Sequence, residues 1–368
     1  MKKLIGLGVS LEQIQSIDAT NHHTMNDRSN VLRVAILGFG RMGQFYFEAL
    51  NSMSNARVVA VWKARPLENN DGSYLTIGKW SNVRWSNDAE SVVSSSDIDA
   101  VVIASATHLH VQHIQLCIKH KRPFFCEKPL SVDFGTGEQV KHQVDQSGLF
   151  NMIGFHKRFD VGWQRLRRSV TDGSIGAVRS VHVYSRDIAP PTLEYAKHSG
   201  GLFMDMTIHD FDIVRYLTGM EVTEVYATGS CLVSEQLQQL GDIDTACITL
   251  KLSSGAMATI HNCRQAAYGL DQRGEVFGSK GMVRLENQGP TDCMQYCTGS
   301  VERDPIHPGF IERYDSAYCS EMSVFVTSVL NTGQQSKCTV HDAQRAAALA
   351  RAAKQSLTTG AAVKVDYE

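Results

Sequence analysis

Val31-Leu32-Arg33-Val34-Ala35-Ile36-Leu37-Gly38-Phe39-Gly40-Arg41-Met42-Gly43 is the stretch that decides the fold. Residues 31–37 are almost continuously apolar, as a strand buried on both faces of a parallel sheet requires. They run directly into G-x-G-x-x-G, and the pattern after it predicts a helix over about 44–51. In this setting each glycine has a physical task. Gly38 permits the tight turn, Gly40 lets a pyrophosphate approach the backbone, and Gly43 allows the helix to pack closely on the strand. Phe39, Arg41 and Met42 fill the rest of the loop, and the helix N-terminus offers amide N–H groups to phosphates. The stretch therefore predicts a dinucleotide site.

The chain that follows keeps the rhythm of a doubly wound sheet. The next strand is expected over 57–62. An acidic residue about 20 positions past the glycines would accept from the adenosine ribose hydroxyls. Here Lys63 stands in that place, with Arg65 after it. Cations cannot accept from a 2′-hydroxyl but can pair with a 2′-phosphate, which tilts an NAD(P) site toward NADP. The other reading leaves both as solvated charges and gives the ribose to Glu68 or a backbone group. Further strands are expected over 82–85, 99–104, 123–126 and 150–155, with helices over 88–95, 111–120 and 133–147 between them. Ligands of such folds sit beyond the carboxyl ends of the strands. That places Ser105, Thr107 and His110 after one strand, and Glu127 and Lys128 after the next, at the cofactor crevice. Pro129 keeps the Lys128 backbone out of the helical region.

After residue 160 the rhythm changes. A helix over 163–172 precedes β-type runs at 178–184, 222–228, 245–252, 256–262, 275–277 and 282–285, with short turns at 253–255 and 278–281. Consecutive strands joined by short turns imply an antiparallel sheet. A helix opens near Gly200-Gly201. Asp205, His209 and Asp212 fall on one face of it at i, i+4, i+7, with Tyr216 continuing the stripe. Met206, Ile213 and Leu217 can anchor it, and Gly219 is a candidate left-handed cap. Carboxylate, imidazole and carboxylate in one stripe make either a proton-handling surface or a solvated face. Residues 289–309 read as loop, and helices are expected over 314–330 and 341–358. The fold class is thus α/β: a Rossmann doubly wound parallel sheet over 31–153, then an α+β domain with a large, mainly antiparallel open sheet over 154–335. Residues 336–368 form a terminal helix and tail expected to pack back on the first domain.

The totals agree with this division. The chain has 368 residues, a formal net charge of −2 and 43% hydrophobic residues, enough for two cores. Scattered charge gives no footprint for nucleic acid or an anionic membrane. Nine cysteines without a C-x-x-C pair, and Cys293 and Cys297 without a histidine cluster, point to reduced thiols and no metal site. No apolar run approaches the roughly 20 residues of a membrane span, so the expected setting is cytoplasmic. Residues 1–30 read as an extension: Lys2-Lys3 before a short apolar run, a short helix over 11–17, then polar linker, with Met25 as an alternative start.

G-F-G-R-M-G, E-K-P at Glu127 to Pro129, and G-G-x-x-x-D-x-x-x-H-D at Gly200 to Asp210 resemble the glucose–fructose oxidoreductase/inositol dehydrogenase family. The resemblance extends over nearly all of 31–368 and is nearest to the inositol dehydrogenase branch, through 154–160, 185–191 and 268–273. It implies that Lys128, Asp205 and His209 are catalytic, and that the Lys128–Pro129 bond is often cis. It implies an NAD(P)-dependent dehydrogenase of a cyclic polyol or sugar, with myo-inositol oxidised to 2-keto-inositol as the leading expectation. A scyllo-inositol or sugar dehydrogenase, a reductase, and a non-catalytic dinucleotide sensor are the alternatives. The chain departs from the family's pattern at Lys63, at His156, where Asn or Met is common, and at Leu270, where many inositol dehydrogenases carry Tyr.

Oxidising a secondary alcohol needs a base for the hydroxyl proton, a role suited to His209. Asp205 would orient it or bind a neighbouring hydroxyl, and Lys128 would stabilise developing alkoxide charge. His156, Arg158, Asp187 and Tyr268 are candidates for reading the other hydroxyls; Arg158 could instead be a structural ion pair, Asp187 a turn residue and Tyr268 an interface aromatic. The open sheet needs a cover, so a homodimer or homotetramer is expected.

Overall fold

The computed structural model describes residues 31–65, 82–291, 293–331, 336 and 338–368. The expectations for 1–30 and for Glu68 lie outside the described residues. Residues Val31–Glu368 form one compact unit.

The first layer is a parallel sheet. Strands β1 (Leu32–Leu37), β2 (Ala56–Trp62), β3 (Arg84–Ser86), β4 (Ala100–Ile103), β5 (Phe124–Glu127) and β6 (Asn151–Gly154) stand in the order β3-β2-β1-β4-β5-β6. Helices α1 (Arg41–Asn51), α2 (Ala89–Ser94), α3 (His110–Lys119) and α4 (Phe134–Ser147) make the crossovers. Their starts follow from local chemistry: Asp88 accepts from the amides of Glu90 and Ser91 to open α2, and Asp133 caps α4 through Thr136. The central strands are mostly apolar because helices cover both faces; residues Val34 to Leu37 are wholly buried.

The second layer follows α5 (Val161–Thr171), which Asp160 caps. It runs β7 (Val178–Arg186), α6 (Leu193–Ala196), α7 (Ile208–Thr218), β8 (Val222–Ser230), α8 (Glu235–Gln239), β9 (Thr245–Leu252), β10 (Met257–Cys263), β11 (Asp271–Gly278), β12 (Met282–Leu285), the hairpin β13 (Met294–Cys297) and β14 (Ser300–Arg303), α9 (Phe310–Leu330), α10 (Val340–Thr359) and β15 (Val363–Lys364). The large sheet has the order β12-β11-β7-β10-β9-β8-β15. It is mixed rather than wholly antiparallel, because β7 inserts between β11 and β10 and pairs with β10 in parallel. Its strands alternate buried and exposed residues, so one face is core and the other is open.

Helix α10 joins the two sheets. Near its start, Asn151 of β6 accepts from the Val340 amide, and Gln344 donates to the Phe134 carbonyl of α4. Near its end, Ser356 accepts from the Ala227 amide of β8. The terminal helix is thus seated on both layers rather than on the first alone. The hairpin β13–β14 lies in the stretch expected to be loop; its residues are exposed, so no burial pattern announces it. Among the described residues no helix is long and apolar enough to cross a membrane.

Candidate active site

A cleft of about 1170 Å³ lies at the carboxyl ends of the parallel strands, between them and the second layer. One wall is Gly40, Arg41 and Met42 at the opening of α1, with Ser105, Thr107 and His110 after β4. Gly38 has φ +106°, and a Cβ there would lie 2.5 Å from the Ala104 carbonyl oxygen. Only glycine tolerates both that conformation and that approach. A Cβ on Gly43 would meet the Gly38 carbonyl oxygen at 2.0 Å, so this glycine lets helix and strand touch. Gly40 has nothing within 4 Å of its missing side chain, and no side chain caps α1. An uncapped helix N-terminus behind an unobstructed glycine fits a dinucleotide pyrophosphate.

The rest of the predicted cofactor wall divides. The Phe39 side chain is buried against Phe47 and Trp85, so only its backbone could serve. His110 bridges carbonyl oxygens of Pro129 and Ser105, bracing two strand ends. Tyr46 donates to Glu127, which also accepts from the Lys128 amide at 3.2 Å. Lys63 and Arg65 follow β2 and are not among the residues lining the cleft.

Lys128 and the Asp205 segment face each other across the cleft. The Lys128–Pro129 peptide is cis. Lys128 Nζ donates to the Asp205 carbonyl oxygen at 2.7 Å and to its Oδ1 at 3.3 Å. Asp205 Oδ1 also accepts from the Tyr195 hydroxyl at 2.8 Å, and Oδ2 from Arg264 Nη1 at 3.0 Å. Burial opposes the Asp205 charge, but Lys128 and Arg264 outweigh it and hold the carboxyl below its usual range. Burial likewise opposes the Lys128 charge, yet Asp205 prevails and raises the lysine above its ordinary value. Both are therefore ionised at neutral pH.

His209 is in the opposite condition. Burial, with Lys128, His156 and Lys157 around it, holds the imidazole well below its usual value. Its ring lies 4.8 Å from that of His156, and Nδ1 is buried without a hydrogen-bond partner among the described residues. A neutral imidazole beside an ammonium group separates base from electrophile.

Asp205 sits in a π-helical turn, Phe203–Thr207, and His209 in the first turn of α7. The wider π turn changes the register, and such turns often occur at functional sites. The turn shifts Asp205 relative to His209; beyond His209 the helix is regular, but Asp212 and Tyr216 do not line the cleft. Asp212 is buried and pairs with Arg158, and Tyr216 stacks under Arg158 and Arg167. None of the three acids on this segment is solvated: Asp205, Asp210 and Asp212 are all buried.

Two substrate expectations are corrected. Arg158 is spent on Asp212 and Asp342 and does not line the cleft. Tyr268 is 55% exposed, bonded to Arg186 and Asp271, and also lies outside it. His156 and Asp187 do line it, and burial pushes Asp187 up to about 6. Sequence reasoning missed Arg264, Tyr195 and Gln272, all in the cleft wall. Arg264 directly follows a strand end, the one positional hint available.

Residues 32–155 match the model of an oxidoreductase family with an NAD-binding Rossmann fold, and residues 163–284 match the GFO/IDH/MocA C-terminal domain. A myo-inositol 2-dehydrogenase from Thermotoga maritima is 35% identical over 335 residues, 91% of this chain and 99% of that protein. The chain belongs to the GFO/IDH/MocA oxidoreductase family. Solved structures agree. A myo-inositol dehydrogenase from Corynebacterium glutamicum superposes with a TM-score of 0.85 at 32% identity, covering 91% of this chain and 99% of that one. A scyllo-inositol dehydrogenase from Lactobacillus casei, solved with NAD(H) and scyllo-inositol, gives 0.82 at 28% identity, covering 91% and 99%. This family member is accordingly an oxidoreductase with an NAD-binding Rossmann half and a mixed, mostly antiparallel second sheet.

Proposed function

We propose that the chain oxidises a secondary hydroxyl of a cyclic polyol or sugar, with myo-inositol the first substrate to test. The observation that carries this reading is the meeting of charged Lys128, buried Asp205 and neutral His209 in a cleft that opens on the uncapped start of α1. The names of the similar proteins, inositol dehydrogenases of both the myo and scyllo type, support the substrate class.

Gly40, Arg41 and Met42 would hold the pyrophosphate, and Ser105 and Thr107 the wall beside it. The bound nicotinamide supplies the hydride acceptor. Lys128 donates through Nζ to the reacting oxygen and stabilises it as negative charge develops. His209 takes the hydroxyl proton at Nε2, since Nδ1 is buried. One C–H hydride and one O–H proton leave, and a ketone remains. Because burial and then Lys128 disfavour the imidazolium, the imidazole does not retain the proton. Asp205 holds Lys128 in place, and His156 and Asp187 line the substrate side.

Lys63 and Arg65 favour NADP over NAD in this reading, through pairing with a 2′-phosphate. Large apolar residues exposed on strands of the second sheet, including Tyr226, Met257 and Phe277, favour a homodimer or homotetramer formed through that layer.

The test is nicotinamide reduction with NAD and NADP at equal concentration, offering myo-inositol, scyllo-inositol and common hexoses. Turnover of a cyclic polyol is expected. Cofactor binding with no turnover of any of them would replace the enzyme reading by a dinucleotide sensor, and a marked NAD preference would overturn the NADP assignment.

A further inference from the structure

Arg264 follows the end of β10, and its guanidinium reaches the cleft wall. It is 2% exposed. Nη1 is committed to Asp205, but Nε and Nη2 are buried and have no hydrogen-bond partner among the described residues. A guanidinium carries five N–H donors in a rigid fork, and leaving buried donors of a charged group unmade is among the costlier arrangements a fold can hold. Neighbouring buried cations are treated differently. Lys157 is fully engaged by Asp210 and Ser185, and Arg158 by two carboxylates. Arg313 also keeps Nε and Nη2 unmade, and Arg215 its Nη1, but neither lines the cleft; among these arginines Arg264 is the one whose unmade donors belong to a cleft-lining residue.

Asp187 lines the same cleft and feels the Arg264 charge, along with those of Asp205, Lys128 and Lys157. Arg264 presents donors only, and an ionised Asp187 presents acceptors only. A hydroxyl is both. Two adjacent hydroxyls can satisfy the pair at once, one oxygen accepting from the Arg264 fork while its neighbour donates to the carboxylate. A carboxylate ligand would meet the fork well but would be repelled by Asp187 and Asp205 beside it.

We propose that Arg264 is a specificity-determining residue of the substrate site: its Nε/Nη2 edge binds a hydroxyl of a neutral vicinal diol, with Asp187 taking the adjacent hydroxyl. The assignment rests on the cyclic-polyol reading above. It gives Asp205 a second task, since that carboxylate fixes Lys128 on the reacting oxygen and Arg264 on a non-reacting one.

The experiment compares Arg264→Lys, which keeps a cation beside Asp205, and Arg264→Met with the unaltered chain. Each is assayed with whichever inositol the panel above identifies and with its mono-deoxy analogues. Polyol binding in the presence of cofactor is followed separately by tryptophan fluorescence, and folding by thermal melting. In the unaltered chain, removal of the hydroxyl that Arg264 holds is expected to lower kcat/KM about 10- to 100-fold. In both variants that penalty should shrink to within about threefold, mostly through KM, while cofactor binding is retained. A penalty undiminished in Arg264→Lys, with melting and cofactor binding unchanged, would overturn the assignment. So would an equal loss on parent and deoxy compounds, which marks a residue acting only through Asp205. Inositols that neither bind nor turn over in the unaltered chain would sink the polyol reading itself, and this assignment with it. Stronger binding of an inositol carboxylate analogue than of the parent would replace the diol by an anion.

Discussion

The segment from Asp205 to Asp212 carries two kinds of buried charge within eight positions. At its front, Asp205 meets Lys128 and Arg264 at the edge of a cleft. At its back, Asp210 meets Lys157, whose surface reaches the cleft wall, and Asp212 meets Arg158, which lies outside it. The chemical groups are alike and the burial is alike. What differs is completeness. Asp210 holds Lys157, Ser185 and Asn262 in a closed set, and Arg158 is shared between Asp212 and Asp342. The front leaves donors of Arg264 and Nδ1 of His209 unmade. A closed network stabilises a fold, whereas an open one beside a cavity is prepared for a ligand. The same helix therefore serves structure on one side and chemistry on the other.

If that contrast holds, the largest effect comes from the front. His209→Ala should lower turnover roughly 100- to 10,000-fold, the range of general acid–base catalysis, while the melting temperature and cofactor affinity change little. Lys128→Met should do the same, because the group lost acts on developing charge. Steady-state kinetics and thermal melting on the same preparations measure both arms. Turnover close to that of the unaltered chain in His209→Ala would remove it as the base.

The back should respond in the other currency. Asp210→Ala leaves the Lys157 ammonium buried without its carboxylate, and breaking such a pair costs about 3–5 kcal/mol of stability. Chemical denaturation should show the loss, with the protein that remains folded still binding cofactor. A stable variant would mean that Lys157 finds another partner and that the back is not closed.

How far these assignments were legible in the sequence depends on the range of the interaction. The turn at Gly38 to Gly43 is local, a matter of φ and of close approach within a few residues, and the motif displays it. Helix starts at Asp88 and Asp133 are local too. Lys128 could be placed because a strand end and a proline lie beside it in the chain. Arg264 could not, since it meets Asp205 across 59 positions with no periodicity to announce the pair. Arg158 was misplaced for the same reason: its partner Asp342 lies 184 positions away. The parallel β7–β10 pairing escaped because turn signals report neighbours in sequence, and these strands are not. The π turn escaped because Phe203 to Thr207 carries the same residue types as an α-helix.

The two regions should also differ in their response to acid. The front holds His209 and His156 below their ordinary values, chiefly by burial. In the unfolded chain both bind a proton near pH 6.5, and in the folded chain both resist it. Stability is therefore unaffected by them above that pH and is lost as pH falls below it, at up to about 1.4 kcal/mol per pH unit for each histidine. Melting followed from pH 7.5 to 5.5 should show a shallower fall in His156→Phe than in the unaltered chain. Parallel curves would mean that the histidines are not what makes the front acid-sensitive. The same neutral imidazole contributes no inflection of its own to kcat/KM near pH 6.5; the one expected, near 6, belongs to Asp187, whose ionised form binds the substrate.

The smallest effect tests the boundary of the cleft. Tyr268 was expected among the substrate residues, yet its hydroxyl lies between Arg186 and Asp271 on the exposed side. Asp271 also holds Arg273 and Asn287, so loss of one hydroxyl leaves that carboxylate well supplied. Tyr268→Phe should change stability by no more than about 0.5 kcal/mol, as exposed substitutions do, and leave kcat and KM for the polyol essentially unchanged. Gln272 is only four residues further on, but lines the cleft and accepts from Ser185 and Tyr314. Gln272→Leu should therefore raise KM where Tyr268→Phe does not. A raised KM in Tyr268→Phe would show that the site extends past this wall, and the division between an open front and a closed surround would have to be redrawn there.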